Sequence, residues 1–279
     1  MTEKSNSKPI VVVKYGGNAM VSEDIQYDVL KNVCALKEKG YAVVIVHGGG
    51  PFIQETLDVA QIESEFIGGQ RKTTPEALKY VEMALKGQVN GKVVNIINTL
   101  GYTAVGLSGR DGKIATAEKL YHEETVGDEL KKISLGQVGK VKCIDTKLIY
   151  TLLENDFIPV ITCIASDEKG NSYNINADLF AGSVAGHLKA SVFGVLTDVD
   201  GLMEDIKNPD SLIKNLEMDK ITTLLGQGVI IGGMIPKVDA CKLAVETGAG
   251  KAVILNGKKP EQILALVDND KQIGTTIKK

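Results

Sequence analysis

Several stretches of the chain hold side chains that could do chemistry, and each joins them to glycines or to a helix start. Lys14 follows the apolar run Ile10 to Val13 and is itself followed by Tyr15, Gly16 and Gly17. Alone, a lysine there fits a solvated strand end as well as it fits an anion partner. Gly48, Gly49 and Gly50 come after Ala42 to His47, and Pro51 then opens a segment with Phe52, Ile53, Leu57 and Ala60 at helical spacing. Strand, glycine turn and helix form a phosphate cradle, because bare backbone approaches an anion closely and the free N–H groups of the helix start point at it. A tight turn could need a glycine for its shape alone, but three in a row favour an anion site. Asn174, Asn176 and Asp178 crowd another helix start; one or two could cap it, and all three exceed what a cap needs. Asp198 and Asp200 precede Gly201 at a strand end, where acids can hold a metal or a ribose, or only shape a turn. Lys237 stands in the first turn of a helix that opens after Gly232-Gly233-Met234-Ile235-Pro236. Arg71 closes a short, glycine-broken stretch, Ser64 to Thr73, that reads as a small hairpin; an arginine there is ordinarily solvated and needs support from elsewhere. The common theme is the binding and neutralising of anions.

The elements that must position these groups alternate along the chain. Buried strands are expected at Ile10–Val13, Ala42–Val46, Ala104–Leu107, Ile158–Ile164, Val192–Thr197 and Ala252–Leu255, with a closing strand from Gly274 to Ile277. Helices are expected from Ser22 to Lys39, from Pro51, from Thr74 towards Lys86, and on to Leu100 after an interruption at Gly87 to Gly91. Others run from Asp145 to Asn155, over the small residues Leu179 to Lys189, from Asp219 to Leu225, from Pro236, and from Pro260 to Val267. Thr74-Pro75-Glu76 is a helix start with a cap, a proline in the first turn and an acid beside it. Ile114 to Val141 is the least legible part, expected as short strands and loops with a last strand near Gln137 to Val141. Alternation of this kind argues for an open, mainly parallel central sheet covered on both faces. Ligands in such folds sit beyond the carboxyl ends of the strands, where the suspicious residues lie. The seam near residue 140 divides the chain into two expected lobes, 10–140 and 141–279, of one domain spanning 1–279.

Composition narrows the classes. The 279 residues, 43% hydrophobic and 24% charged, can bury a sizeable core, and a net charge of −3 gives no reason to expect nucleic acid or an anionic membrane as partner. No apolar run approaches the roughly 20 residues needed to span a bilayer. Met1 to Pro9 is polar and lacks the apolar segment of a signal peptide, so a cytoplasmic location is expected. Cys34, Cys143, Cys163 and Cys241 form no CxxC pair and read as reduced core residues. GxGxxG after the first strand, GxxxxGK[ST] and GxSxG are all absent, and three scattered histidines offer no zinc spacing. No metal ligand is assigned.

Taken together, Lys14-Tyr-Gly-Gly17, His47-Gly-Gly-Gly-Pro51, Asn174-Ile-Asn-Ala-Asp178, Thr197-Asp-Val-Asp-Gly201 and Gly232-Gly-Met-Ile-Pro-Lys237 resemble the amino acid kinase family, over essentially Ile10 to Ile277. Gly68-Gly-Gln-Arg71-Lys-Thr73, joined to Tyr173-Asn-Ile-Asn-Ala-Asp178, is similar to the branch that phosphorylates N-acetyl-L-glutamate. The resemblance implies a three-layer αβα sandwich and ATP-dependent phosphorylation of that substrate's side-chain carboxylate in arginine biosynthesis, with Mg2+ arriving on the ATP. It implies that Lys14 and Lys237 neutralise the transferred phosphoryl group and that Asp178 orients both. Gly16, Gly17 and Gly48 would border the phosphates, with Gly49 and Gly50 between phosphate and acceptor. Arg71 and Asn174 would hold the α-carboxylate end of the substrate. Thr197, Asp198, Val199, Asp200, Gly201 and Leu202, with Val229, Ile230 and Ile231, would line the adenosine side.

Two alternatives stay open at this level: a kinase of carrier-bound glutamate or aminoadipate, and a non-catalytic nucleotide-binding module on the same fold. The resemblance also implies a homodimer joined through Val89 to Leu100. The short polar start, and an end, Asp268 to Lys279, without aromatic or histidine residues, lead us to expect a simple dimer without feedback inhibition by arginine.

Overall fold

The computed structural model describes residues 8–20, 22–126, 129–268 and 270–279. The reading of Met1 to Pro9 as a polar start falls mainly on residues 1–7, outside the described residues. The chain opens with β1 (Ile10–Tyr15), a 3-10 turn, α1 (Glu23–Ala35), β2 (Ala42–His47) and α2 (Gly50–Val59). A small hairpin, β3 (Glu65–Ile67) and β4 (Gln70–Lys72), leads to α3 (Pro75–Glu82), where the Thr74 side chain accepts from the Ala77 N–H as the sequence signature requires. Then come α4 (Asn90–Thr99), β5 (Ala104–Ser108), β6 (Ala115–Val126), β7 (Glu129–Ile144) and α5 (Lys147–Glu154). The carboxyl-terminal part holds β8 (Ile158–Thr162), β9 (Ile164–Ser166), β10 (Ser172–Ile175), α6 (Ala177–His187), β11 (Val192–Thr197) and β12 (Asn215–Glu217). It ends with α7 (Ile221–Gly226), α8 (Ile235–Thr247), β13 (Ala252–Asn256), a 3-10 helix over Pro260–Val267, and β14 (Thr275–Lys278).

Eight strands form one sheet in the order β12-β14-β13-β11-β1-β2-β8-β5, parallel throughout except where β14 runs against β13. The sequence explains why it sits in the middle. Val11 and Val13 face one core with Val29, Val33 and Ile97, while Val12 faces the other with Leu57, Val184 and Ala244. An unbroken β-branched strand has no polar face to give to water, so helices cover both sides. The expected three-layer, mainly parallel α/β arrangement is therefore the observed one. Among the described residues no helix is long and apolar enough to cross a membrane.

Four local expectations need correction. Ile114 to Val141 is not a set of short strands: β6 and β7 make one long hairpin, closed with β9 and β10 into a four-stranded barrel. Two register shifts along the hairpin, after Thr116 and near Lys119, break the period of two that would have revealed it. Gly87 and Gly91 do not interrupt their helix; Met83–Val89 continues it as a π-helical stretch, held by inward contacts of Leu85, Val89 and Asn90. The helix expected to reach Lys39 stops at Ala35, and tight turns lead to Gly40, whose φ of +85° favours glycine. Cys143 is exposed, unlike the three buried cysteines, and all four are free.

Candidate active site

Three elements far apart in sequence bring Lys14, Asp178 and Lys237 together. Lys14 lies one residue before the end of β1, flanked by Val46 of β2 and Val195 of β11 in the parallel ladder. Asp178 is the second residue of α6, and Lys237 lies in the first turn of α8. The two helices approach closely because α6 is built of small residues. A Cβ on Gly182 would stand 2.4 Å from the Ala240 carbonyl oxygen, and one on Gly186 would stand 2.5 Å from Thr247. Lys14 Nζ is 2.9 Å from Asp178 Oδ1, forming a buried ion pair. Lys237 Nζ donates to Asp178 Oδ2 at 3.4 Å and to the Gly233 carbonyl at 3.1 Å. Lys14 and Asp178 are each 6% exposed. Burial pushes the Asp178 carboxyl up, but the charges of Lys14 and then Lys237, with their direct contacts, outweigh it and hold the group below its ordinary range. Two ammonium groups share one carboxylate, so the cluster keeps a net positive charge for an incoming anion.

The glycines leave this cluster open. A Cβ on Gly16 would lie 2.7 Å from the Lys14 ammonium, so a side chain there would push that nitrogen from its place. Gly17 has φ +70° and sits beside the Asp198 carboxylate. Gly48 abuts Ala177, where a Cβ would meet the alanine at 3.0 Å. Gly49 is wedged against Leu85 and Val89, and Gly50 begins α2 with open space where a side chain would go. Gly16, Gly48, Lys14 and Asp178 therefore surround one point beyond the ends of β1 and β2.

Arg71 and Asn174 share a second, smaller feature, a cavity of about 140 Å³ lined also by Gly69, Gln70, Val138 and Asn176. Arg71 Nη1 donates to Gln54 Oε1 at 2.7 Å and to the Ser64 hydroxyl, and the guanidinium lies over the Phe66 ring, 4.7 Å from its centre. Partial burial lowers the Arg71 pKa, and Asp58 offsets part of that effect. Asn174 Nδ2 reaches Thr73 Oγ1 at 3.5 Å. Asn176, by contrast, is the cap of α6, accepting from the Asp178 and Leu179 N–H groups. The polar trio thus divides into a cap, a cavity residue and an ion-pair hub.

The nine residues expected on the adenosine side are less alike in placement. Thr197 ends β11, and Asp198, Val199 and Gly201 follow it in the turn. Asp200 is taken up by Asn256 Nδ2 at 2.9 Å and Lys259 Nζ at 2.7 Å, with those hydrogen bonds lowering its pKa. Leu202 and Ile230 turn their side chains into the core; the Leu202 N–H donates to Thr275 Oγ1 at 2.8 Å, its carbonyl accepts from Ile213 N at 2.8 Å, and the Ile230 N–H donates to Leu224 O at 3.3 Å. Val229 N–H donates to Leu224 O behind α7, and Ile231 is exposed.

Two positioning contacts had no mark in the sequence. Thr73 is latched to β7: its N–H donates to Leu135 O at 2.9 Å and its carbonyl accepts from Gln137 N at 2.6 Å. Gly136, at φ +74°, is where that latch needs a residue without a side chain, since a Cβ would lie 2.2 Å from Thr73 O. His47 is fully buried beneath the three glycines and is joined to Asn90. A hairpin whose partner lies more than sixty residues on, and a histidine named only as part of a glycine motif, give no local signal.

Residues 9–256 match the amino acid kinase family. The chain is 46% identical over 268 residues to an acetylglutamate kinase of Solidesulfovibrio magneticus, covering 96% of this chain and 89% of that protein. It is 42% identical over 267 residues to an acetylglutamate kinase of Methanococcus aeolicus, covering 96% and 91%. The crystal structure of smu.665 from Streptococcus mutans superimposes with a TM-score of 0.76 at 26% identity, covering 96% of this chain and 98% of that one.

Proposed function

The chain belongs to the amino acid kinase family, and from that premise we propose that it transfers the γ-phosphoryl group of ATP to the side-chain carboxylate of N-acetyl-L-glutamate. A carboxylate oxygen attacks the γ-phosphorus, the bond to the β–γ bridging oxygen breaks, and ADP and an acyl phosphate leave. The nucleophile is ionised already, its pKa being about 4, so no general base is needed. Two anions must be brought into line without repelling one another, and positioning with charge stabilisation supplies nearly all of the catalysis.

The observation that carries this reading is the Lys14–Asp178–Lys237 cluster, with Lys14 and Asp178 buried, at the glycine-lined ends of β1 and β2. Lys14 and Lys237 would face the oxygens of the transferred group, and Asp178 would set the spacing between them. Gly16, Gly17 and Gly48 would border the phosphates, and Gly49 and Gly50 would stand between phosphate and acceptor. Arg71 and Asn174, sharing one cavity, support recognition of the α-carboxylate end of the substrate. The turn from Thr197 to Leu202, with Val229 to Ile231, is the proposed adenosine side, met partly through backbone. Asp178 is engaged by two ammonium groups and is no metal donor, so Mg2+ would be held by phosphate oxygens, where it supplies further charge neutralisation. The division into an acceptor lobe, 10–140, and a nucleotide lobe, 141–279, belongs to the same proposal, as does a homodimer joined through Val89 to Leu100. Its use of ATP supports work in the cytoplasm.

The test is coupled ADP release across a panel of acyl-amino acids. N-acetyl-L-glutamate is expected to give the highest kcat/KM. Preference for a carrier-bound glutamate or aminoadipate, or no ADP release with any acid, would overturn the assignment. Sedimentation of the purified chain tests the dimer, and a monomer at micromolar concentration would exclude it.

A further inference from the structure

His47 takes no part in the transfer chemistry, yet it is fully buried directly under the glycine turn. Its Nδ1 lies 2.9 Å from the carbonyl oxygen of Gly48, and its Nε2 lies 2.8 Å from Asn90 Nδ2. A carbonyl only accepts, so Nδ1 carries the proton; the Asn90 amide donates, so Nε2 is bare. The same amide donates to Val160 O at 3.0 Å, which ties the pair to β8. One neutral tautomer satisfies every contact.

The consequence falls on the peptide between Gly48 and Gly49. Its C=O and N–H point in opposite directions, because the unit is planar and trans. With glycine on both sides, little in the chain itself stops that peptide from turning over. The imidazole holds the carbonyl inward, so the Gly49 N–H is turned away from the core. Gly48 borders Ala177, the residue before Asp178, so this turn lies beside the cationic cluster. We propose that His47 is a positioning residue that aims the Gly49 N–H at the transferred phosphoryl group by anchoring the Gly48 carbonyl, and that Asn90 anchors the histidine in turn. The inference rests on the phosphoryl-transfer reading.

The surroundings keep this anchor neutral. Burial pushes the His47 pKa down to about 4, against a smaller opposing effect of the Gly48 contact, and the charges of Lys86 and Lys14 push in the same downward direction. Lys86 comes from the π-helical stretch, where its ammonium donates to Gly106 O at 2.7 Å, and Lys14 from β1; Tyr15 of β1 and Thr162 of β8 are the strand neighbours in register. An imidazolium would have no acceptor for its second N–H, since Asn90 presents a donor.

The experiment compares His47→Leu and His47→Asn with the wild type in single-turnover phosphoryl transfer, beside ¹⁵N spectra of the imidazole. Leucine fills the space without donating. Asparagine can place its amide near the Nδ1 position and restore the bond to Gly48. His47→Leu is expected to lower the transfer rate on the order of thirtyfold to a hundredfold, with both Michaelis constants within about threefold, as for a misdirected transition-state donor. His47→Asn is expected to recover most of that loss. An unchanged rate in His47→Leu, or equal losses in the two variants, would overturn the proposal. Independently of any activity, the wild-type imidazole should be the Nδ1–H tautomer from pH 7 to pH 5. An Nε2–H tautomer, or an imidazolium at pH 5, would refute the anchor even with the kinase assignment intact. A wild type that phosphorylates no acyl-amino acid would overturn the substrate reading instead, leaving the spectra to decide on His47.

Discussion

Replacing Arg71 with lysine would keep a cation at the middle of β4 while removing the planar fork. The guanidinium is held from behind by Gln54 and Ser64 and lies over Phe66, so its direction is set before any substrate arrives. A lysine has one compact ammonium group and cannot both keep those contacts and offer paired donors to a carboxylate. Arg71→Lys is therefore expected to raise KM for N-acetylglutamate by about tenfold or more, near 1.4 kcal/mol, with little change in KM for ATP. Steady-state kinetics with each substrate varied in turn reads this directly. Equal losses for both substrates would mean that Arg71 only keeps the β3–β4 hairpin in shape.

At the scale of elements, the close contact of α6 and α8 is what sets the distance between Asp178 and Lys237. Gly182→Ala would force a methyl group against the Ala240 carbonyl and push the two helices apart. Turnover is expected to fall several-fold or more and the melting temperature to drop, while KM for N-acetylglutamate, whose proposed site lies on β4 and β10, stays within about twofold. A variant with normal turnover would show that the helix spacing does not control the cluster. The small-residue character of this helix was legible in the sequence, as were the strands of the main sheet other than β12, the Arg71 hairpin and the Thr74 cap, because each has a local pattern. The barrel hairpin was not, since its bulges break the alternation of β6 and β7. The π-helical stretch was not, because exposed glycines read as a break while the inward contacts that hold it come from elsewhere in the chain. For the site, charge and glycine placement marked Lys14, Asp178 and Lys237. Nothing local could show that Asn176 is spent on capping, that Asp200 is paired with Lys259, or that Leu202 and Ile230 face the core.

Across the whole molecule, groups held away from their ordinary protonation make stability depend on pH. His47 is kept neutral in the fold, with a pKa near 4 against an ordinary 6.5. The unfolded chain therefore takes up a proton there first as the pH falls. Its contribution is full above pH 6.5 and is lost on the way down to about 4. Asp178 has the same sign at lower pH: its carboxylate is favoured by the two lysines, and that stability goes as the pH drops through the carboxylate range and below. Melting temperature is expected to fall steadily from pH 7 to pH 4, with a shallower fall between pH 6.5 and 5 in His47→Asn. Parallel curves for the two proteins would contradict the buried neutral histidine.

The central claim is also one about the whole molecule: β1, α6 and α8 deliver Lys14, Asp178 and Lys237 to a single charge cluster that acts as a unit. Lys237→Ala should lower turnover far more than it weakens ATP binding, by a hundredfold or more, typical of losing one transition-state contact worth roughly 3 to 4 kcal/mol. Asp178→Ala should lose a similar amount and also stability, since it leaves the buried Lys14 without its counter-ion. The most direct measurement is a double-mutant cycle on Lys237→Ala and Asp178→Ala, read as single-turnover transfer at saturating ATP with folding checked by circular dichroism. The double mutant should be little worse than the poorer single mutant, because groups that work as one unit are lost together. If the two losses simply multiply, Asp178 does not yoke the lysines, and the shared charge cluster is not how this protein transfers phosphate.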